Sequence, residues 1–278
     1  MDRYRNGRRW LRLAVAFVLA AGVSCGGSSG GGPLDGIDLV SPAPDSADCP
    51  VRNHLAAEFN GRTRTGLETP VDYAFLEARQ GGCQPVRFNP CEPIHYVVNA
   101  ALAPPGALDD LHAAMRMLEE ASGLRFVDDG PTDERFEVSR PRSQPERYGA
   151  RWAPVLVVWD HGERHRMDAS NPAGGLSSPV DGVSVTGVLI VNVDTLVDSR
   201  VPPSGFGEGG TWGRVFLHEL GHIVGLGHVA RSDQLMFPEL GVQGGRAEYH
   251  AGDLAGLRLL GREAGCLPTP APPAAARP

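Results

Sequence analysis

Eleven consecutive residues, His218-Glu219-Leu220-Gly221-His222-Ile223-Val224-Gly225-Leu226-Gly227-His228, constrain this chain more than any other feature. They follow the pattern H-E-x-x-H-x-x-G-x-x-H. Residues four apart share one face of an α-helix, so His218 and His222 present both imidazoles to a single point. Glu219 stands one position round, close enough to reach a water on a shared metal without being a ligand. Gly225 lets the backbone leave the helix through the left-handed conformation that costs glycine least. The chain then turns back and delivers His228. Three neutral imidazoles leave a fourth tetrahedral position for water, the arrangement of a catalytic rather than a structural Zn2+. The bland alternative is a helix whose histidines are surface or core residues, and a bare H-E-x-x-H does arise by chance. A glycine and a third histidine at the required spacing argue against chance.

A further test is met downstream, where Gln234-Leu235-Met236-Phe237-Pro238 places Met236 eight residues after His228. With this second signature the chain resembles the metzincin clan of zinc metalloproteases, and within it the bacterial matrixin-like peptidases of the matrixin/adamalysin type. Pro93 to Asn99, a following helix and Gly123-Leu124-Arg125-Phe126 resemble the start of such catalytic domains, so the resemblance runs from Arg87 to Gly261. It implies an α+β fold of the zincin type: a twisted, mostly parallel sheet with an antiparallel edge strand, an active-site helix and a C-terminal helix. It also implies one catalytic zinc on His218, His222 and His228, with Glu219 as general base and Gly225 supporting the turn. Met236 becomes an apolar floor beneath the imidazoles, and Phe237 and Pro238 a wall of the pocket for the residue after the scissile bond. A protein or peptide substrate is expected to pair its backbone with an edge strand near Gly174 to Val180.

The function so implied is that of an extracytoplasmic zinc-dependent endopeptidase. Two readings from other classes stand beside it: a lipid-anchored zinc-binding scaffold without turnover, and a zinc hydrolase of cell-wall amides. Glu219 weighs against the scaffold. There are departures from the family. Val229 follows the third histidine where vertebrate matrixins usually carry serine, and Pro238 stands where astacin-like and serralysin-like relatives have a tyrosine ligand. No Pro-Arg-Cys-Gly-type cysteine switch is visible. The patterns of the family's structural zinc and calcium loops are not clearly reproduced, so a second Zn2+ or a structural Ca2+ is unsupported. His161, His165 and Asp168 could form a second metal site, but a solvated loop fits them better. His54, His95, His112 and His250 stand isolated in the sequence.

The N-terminus points to export. It carries Arg3, Arg5, Arg8, Arg9 and Arg12, then an apolar run from Leu13 to Val23. That run is too short to span a bilayer permanently and reads as a signal peptide, residues 1–24; Arg8-Arg9 gives a twin-arginine alternative. Cys25 after Gly22-Val23-Ser24, followed by the glycine-serine stretch 26–32, resembles a bacterial lipoprotein signal, although Gly22 departs from the usual leucine. A lipid anchor on Cys25 would tether the protein to the bacterial cell envelope; simple secretion is the alternative. Without residues 1–24 the chain keeps 21 basic and 32 acidic residues, a net charge of −11. Such a surface argues against nucleic acid as a partner. There is no lysine among the 278 residues, a hint of a GC-rich bacterial coding sequence. With Cys25 lipidated, Cys49, Cys83, Cys91 and Cys266 form an even set in an oxidising compartment. Of three possible pairings, Cys83–Cys91 with Cys49–Cys266 is favoured.

The remainder divides into a tether and N-terminal extension (25–69), a catalytic domain (70–267) and a Pro/Ala tail (268–278) that should be disordered or extended. A monomer is expected. Within the domain, Ile94 to Asn99 reads as a strand, and Leu108, Leu111, Met115 and Leu118 repeat at helical spacing with Gly123 as a stop. Leu124 to Val127 reads as a short strand, and Val155 to Trp159 as a buried central strand. The stretch from His161 to Pro179 is loop-like in composition, and Gly187 to Asp194 reads as another strand. The active-site helix should begin near Thr211 or Trp212, with Phe216, Leu220 and Ile223 packed on the sheet. A last helix is expected over Asp253 to Leu260.

Overall fold

A computed structural model describes residues 58–59, 62–63, 72–165, 167, 171–196, 202–240 and 244–273. The expected signal peptide and Cys25, and nearly all of the 25–69 extension, lie outside the described residues, as does Asp168. In chain order the elements are β1 (Glu58–Phe59), β2 (Arg62–Thr63), β3 (Ala74–Phe75), β4 (Ile94–Asn99), α1 (Ala107–Ser122), β5 (Phe126–Pro131), the single turn α2 (Pro145–Tyr148), β6 (Val155–Asp160), β7 (Ala173–Val180), β8 (Val183–Asn192), α3 (Trp212–Val224), β9 (Leu226–Gly227) and α4 (Ala251–Leu260). Among the described residues, no helix is long and apolar enough to cross a membrane.

Five strands form the main sheet in the order β5-β4-β6-β8-β7. The first four are parallel, and β7 closes one edge by running antiparallel to β8. The fold is therefore α+β with a mostly parallel sheet and one antiparallel edge strand, as expected. Side chains alternate between the two faces of a strand, and the apolar run of β6 uses both. Val155, Val157 and Trp159 pack with α1 and α3 in the larger core. Leu156 and Val158 turn the other way, beneath Phe136, with Val188 and Ile190 of β8.

The helices are placed by their termini. α1 stops at Gly123, whose φ of 68° is left-handed and whose N–H returns to Glu119 O. α3 starts at Thr211, whose hydroxyl accepts the Arg214 N–H, an N-cap that satisfies one otherwise orphaned donor. Every residue of α3 is buried, which a helix survives only when it is apolar or paired on all sides. Phe216, Leu220 and Ile223 are fully buried; Phe216 meets Trp159 of β6 edge-on at 6.2 Å between ring centroids.

Several expectations need correcting. β5 spans Phe126–Pro131 rather than Leu124 to Val127, because Leu124 is a buried core residue just ahead of the strand. The loop-like stretch expected from His161 to Pro179 ends before Ala173, where β7 (Ala173–Val180) forms the edge strand expected near Gly174 to Val180. Cys91 is bonded to Cys266, which overturns both favoured pairings; Cys83 is disulfide-bonded as well. Arg87 explains how the distant Cys266 reaches Cys91: its guanidinium donates to the carbonyls of Ala264 and Gly265 at 3.0 and 2.9 Å. Beyond the disulfide, Thr269 and Pro270 are fastened to the domain by Asn89 and by the Trp152 indole.

Candidate metal centre

α3 carries His218 and His222 on one face, and the turn after it returns His228. The three Nε2 atoms form a triangle with every side 3.1 Å. Nitrogen ligands about 2.0–2.1 Å from a tetrahedral zinc stand about 3.3 Å apart, so the spacing fits. The far side of two rings decides what this triangle is. His218 Nδ1 lies 2.9 Å from Leu235 O, and His222 Nδ1 lies 2.8 Å from Leu226 O. A carbonyl only accepts, so each Nδ1 carries the proton and each neutral ring turns a bare Nε2 lone pair inward. These two lone pairs, facing one another at 3.1 Å, cannot hydrogen-bond to each other, a repulsion that a shared cation would relieve. Protonated rings are disfavoured. Burial pushes His218 down to about 3 and His222 to about 4, and burial with its two neighbours lowers His228 too. Buried neutral imidazoles oriented by backbone carbonyls are the donor set of a zinc site. Among the described residues this is the one group of histidine, cysteine and carboxylate side chains close enough to hold a metal.

Glu219 is fully buried, and neither carboxylate oxygen has a hydrogen-bond partner. Burial raises its carboxyl to about 8, and the nearby Gly175 N–H pulls it back less strongly. A cation at the imidazoles acts in the opposite direction and favours the carboxylate. The orphaned oxygens thus fit a site completed by a cation and a water. Gly175 of β7 fixes where Glu219 sits. A Cβ there would lie 2.3 Å from Glu219 O, so only glycine lets the edge strand come this close to the helix.

The methionine turn sits under α3. Met236 is buried, and its Sδ lies 2.6 Å from where a Cβ on Gly221 would stand. Its carbonyl accepts the Val229 N–H just after the third histidine. α4 holds this turn in place. Asp253 accepts the N–H groups of Leu235 at 2.8 Å, Met236 at 3.2 Å and His250 at 2.9 Å. Gln234 Oε1 in return accepts the N–H groups of Gly252 and Asp253. Phe237 and Pro238, after the turn, are half-buried. Gly225 ends α3 with φ 119°, its N–H returning to Gly221 O and His222 O. A Cβ on it would meet Val86 O at 2.8 Å.

Sequence reasoning missed Gly175, Gly221, Gln234 and Asp253. Asp253 had a legible signal, an acid at the third position of a helix, but that pattern reads as capping alone. Arg214, one turn before His218, is fully buried and donates to Gly209 O and Gly245 O, tying two loops to α3. The other histidines do not converge. His161 pairs with Asp194 at 2.6 Å, and His165 with Asp160 at 3.1 Å. His165 is buried against Phe136 rather than solvated. His95 meets Asp129, His112 lies 3.6 Å from Asp128, and His250 caps α4; His54 is outside the described residues.

Comparison with known proteins agrees with the geometry. The family model Peptidase_M10, described as Matrixin, matches residues 157–260. The match runs from β6 through the edge strand, α3 and the methionine turn to the end of α4. It supports a metallopeptidase of the matrixin type, a family that suggests a zinc-dependent endopeptidase. The match is narrower than the resemblance read from Arg87 onward, since β4 and α1 lie outside it. No curated protein matches the chain.

Proposed function

We propose that this chain is an extracytoplasmic zinc endopeptidase whose catalytic domain spans residues 70–267. One observation carries the reading: three Nε2 atoms stand 3.1 Å apart, and those of His218 and His222 are bare because their outer nitrogens donate to carbonyls, so a shared cation would satisfy them. His218, His222 and His228 would hold the zinc. Zinc in such a site polarises the scissile carbonyl, stabilises charge on its oxygen and makes an attacking water more acidic.

The remaining work falls to the protein's own groups. β7 offers its outer edge to an extended peptide, which gains main-chain hydrogen bonds there. Glu219, buried between that strand and α3, accepts a proton from the attacking water at its carboxylate and returns it to the leaving amine nitrogen. Its buried position suits both duties, because burial makes the carboxylate a stronger proton acceptor than it is in water. Met236 keeps the α3 backbone and the returning loop in register through Gly221 and Val229. Phe237 and Pro238 line the pocket for the residue after the scissile bond.

Export fits the basic and apolar N-terminus, and the Cys91–Cys266 disulfide suits an oxidising compartment. Acylation of Cys25 would place the enzyme on a membrane surface, with 25–69 as tether and extension and 268–278 as tail. The deciding experiment incubates purified protein with a peptide library, with chelator and Glu219→Ala controls. Cleavage abolished by both, with zinc retained in Glu219→Ala, supports the proposal. Undiminished cleavage by Glu219→Ala removes that residue from the mechanism. Zinc uptake without cleavage of any peptide favours a scaffold, and digestion of peptidoglycan alone favours a cell-wall amide hydrolase.

A further inference from the structure

Residues 223–227 link the second ligand to the third, and this link must turn out of α3 and come back in register. It is not left to itself. β9, within it, pairs antiparallel with β3, Ala74 opposite Gly227 and Phe75 opposite Leu226. One residue on, the Leu76 N–H donates to Gly225 O at 3.0 Å. The β3 segment therefore grips the backbone on both sides of Leu226, whose carbonyl orients the His222 ring. Gly227, the last paired residue, directly precedes His228.

The opposite side of the segment is shaped to receive it. A Cβ on Gly252 of α4 would stand 2.0 Å from Asp72 O, and one on Gly256 would stand 2.7 Å from Leu226 Cδ2 and 3.0 Å from Tyr73 Cβ. Two glycines four apart thus open one face of α4 to the segment and to β9 together. Ala74 and Phe75 are buried there, with Tyr73 edge-on to Phe75 at 5.6 Å. Downstream, Val86 N–H returns to Glu77 O and Cys83 is disulfide-bonded, so the segment is anchored beyond the site as well.

We propose that Asp72 to Leu76 is a positioning strap for the metal site: it fixes the link from Ile223 to Gly227, between His222 and His228, and is required for the site to retain its metal. The segment ahead of the main sheet then supports the site instead of blocking it. This rests on the reading that the triad holds zinc, and it concerns metal retention, not turnover.

The test uses the full chain loaded with one equivalent of zinc. Release into excess chromogenic chelator is timed for the parent, Leu76→Pro and Leu76→Ala. Proline removes the donor to Gly225 O, and Leu76 is only half-buried, so alanine controls for its side chain. Partners one shell out from a metal typically change its affinity about 10- to 100-fold. Release from Leu76→Pro should accelerate by about that factor, with Leu76→Ala within about twofold of the parent. The visible bands of cobalt-loaded protein should shift in the proline variant alone, which a general loss of stability would not produce. Unchanged release and unchanged bands in Leu76→Pro overturn the strap.

Should Leu76→Pro fail to fold, hydrogen exchange on the parent decides. Coupling between strap and metal is reciprocal, so zinc must slow exchange at the amides of Ala74, Leu76 and Gly227. Exchange at those amides that ignores bound zinc overturns the proposal. A parent that takes up no zinc refutes the metal site itself, a failure distinct from that of the strap.

Discussion

Replacing Gly175 with alanine tests the close approach between the edge strand and the active-site helix. A Cβ at this position would lie 2.3 Å from Glu219 O, 3.0 Å from Glu219 C and 3.3 Å from Glu219 Cα. All three are backbone atoms of a helix buried on every side, so no side-chain rotation relieves the clash. Restoring an ordinary contact of about 3.4 Å or more requires strand and helix to part by about 1 Å. Overpacking of this kind costs about 1–3 kcal/mol, offset by about 0.4–1 kcal/mol from a less flexible unfolded chain. The variant should therefore fold, with Tm lower by less than about 10 °C. Activity should suffer far more. On the proposed function the strand presents the substrate and the helix presents Glu219 and two ligands, and a misplacement of such groups by about 1 Å costs about 100-fold. The assay is kcat/KM on a fluorogenic peptide chosen from the library, with zinc content and Tm measured alongside. Gly207→Ala is the control, since nothing lies within 4 Å of its added methyl. A folded, zinc-loaded Gly175→Ala with kcat/KM within about threefold of the parent would refute the reasoning.

Three further outcomes follow from the same geometry. Asp253→Asn leaves one oxygen to serve the three N–H groups of Leu235, Met236 and His250; denaturant unfolding should show a loss of about 2–5 kcal/mol, and a loss below about 0.5 kcal/mol would contradict its role under the methionine turn. The metal-free protein should weaken in mild acid. Burial lowers His218 to about 3 and His222 to about 4, so below about pH 6.5 the unfolded chain takes up protons that the folded chain refuses. Their contribution is complete above about pH 6.5 and falls by about 2 kcal/mol per ring on going to about pH 5; stability that is flat across this window would argue against neutral buried rings. Arg140→Leu strands Glu134, which is buried beside it at 2.8 Å and also bonded to Gln144 and Tyr148. Thermal unfolding should report about 3–5 kcal/mol of destabilisation, and an unchanged Tm would show the pair to be dispensable.

The parts of the fold legible in the sequence were those set by local pattern. Leu111, Met115 and Leu118 repeat at helical spacing and are buried in α1, which stops at Gly123 as expected. The apolar run of β6 is buried along its whole length. The convergence of His218, His222 and His228 was legible because their spacing encodes a helix and a turn. What escaped depends on contacts between distant segments. β7, Ala173–Val180, was expected only through the family resemblance, because its own composition is loop-like and its Gly175 is explained only by Glu219 across the gap. Cys91 finds Cys266 across 175 residues, and no spacing rule selects that partner from three. Asp253 and Gln234 look like ordinary helix-start and turn residues until their hydrogen bonds to one another's segments are seen. β3 is two residues long, too short to leave any periodicity, yet it pairs with the turn between His222 and His228.

X-ray absorption at the zinc edge, on full-length protein carrying one equivalent of zinc, tests the central claim most directly. The expected spectrum shows three imidazole nitrogens and a light-atom ligand around one zinc, with the ordered imidazole scattering reduced in His228→Ala. A sulfur ligand, or a parent spectrum with fewer than three imidazoles, would contradict the account.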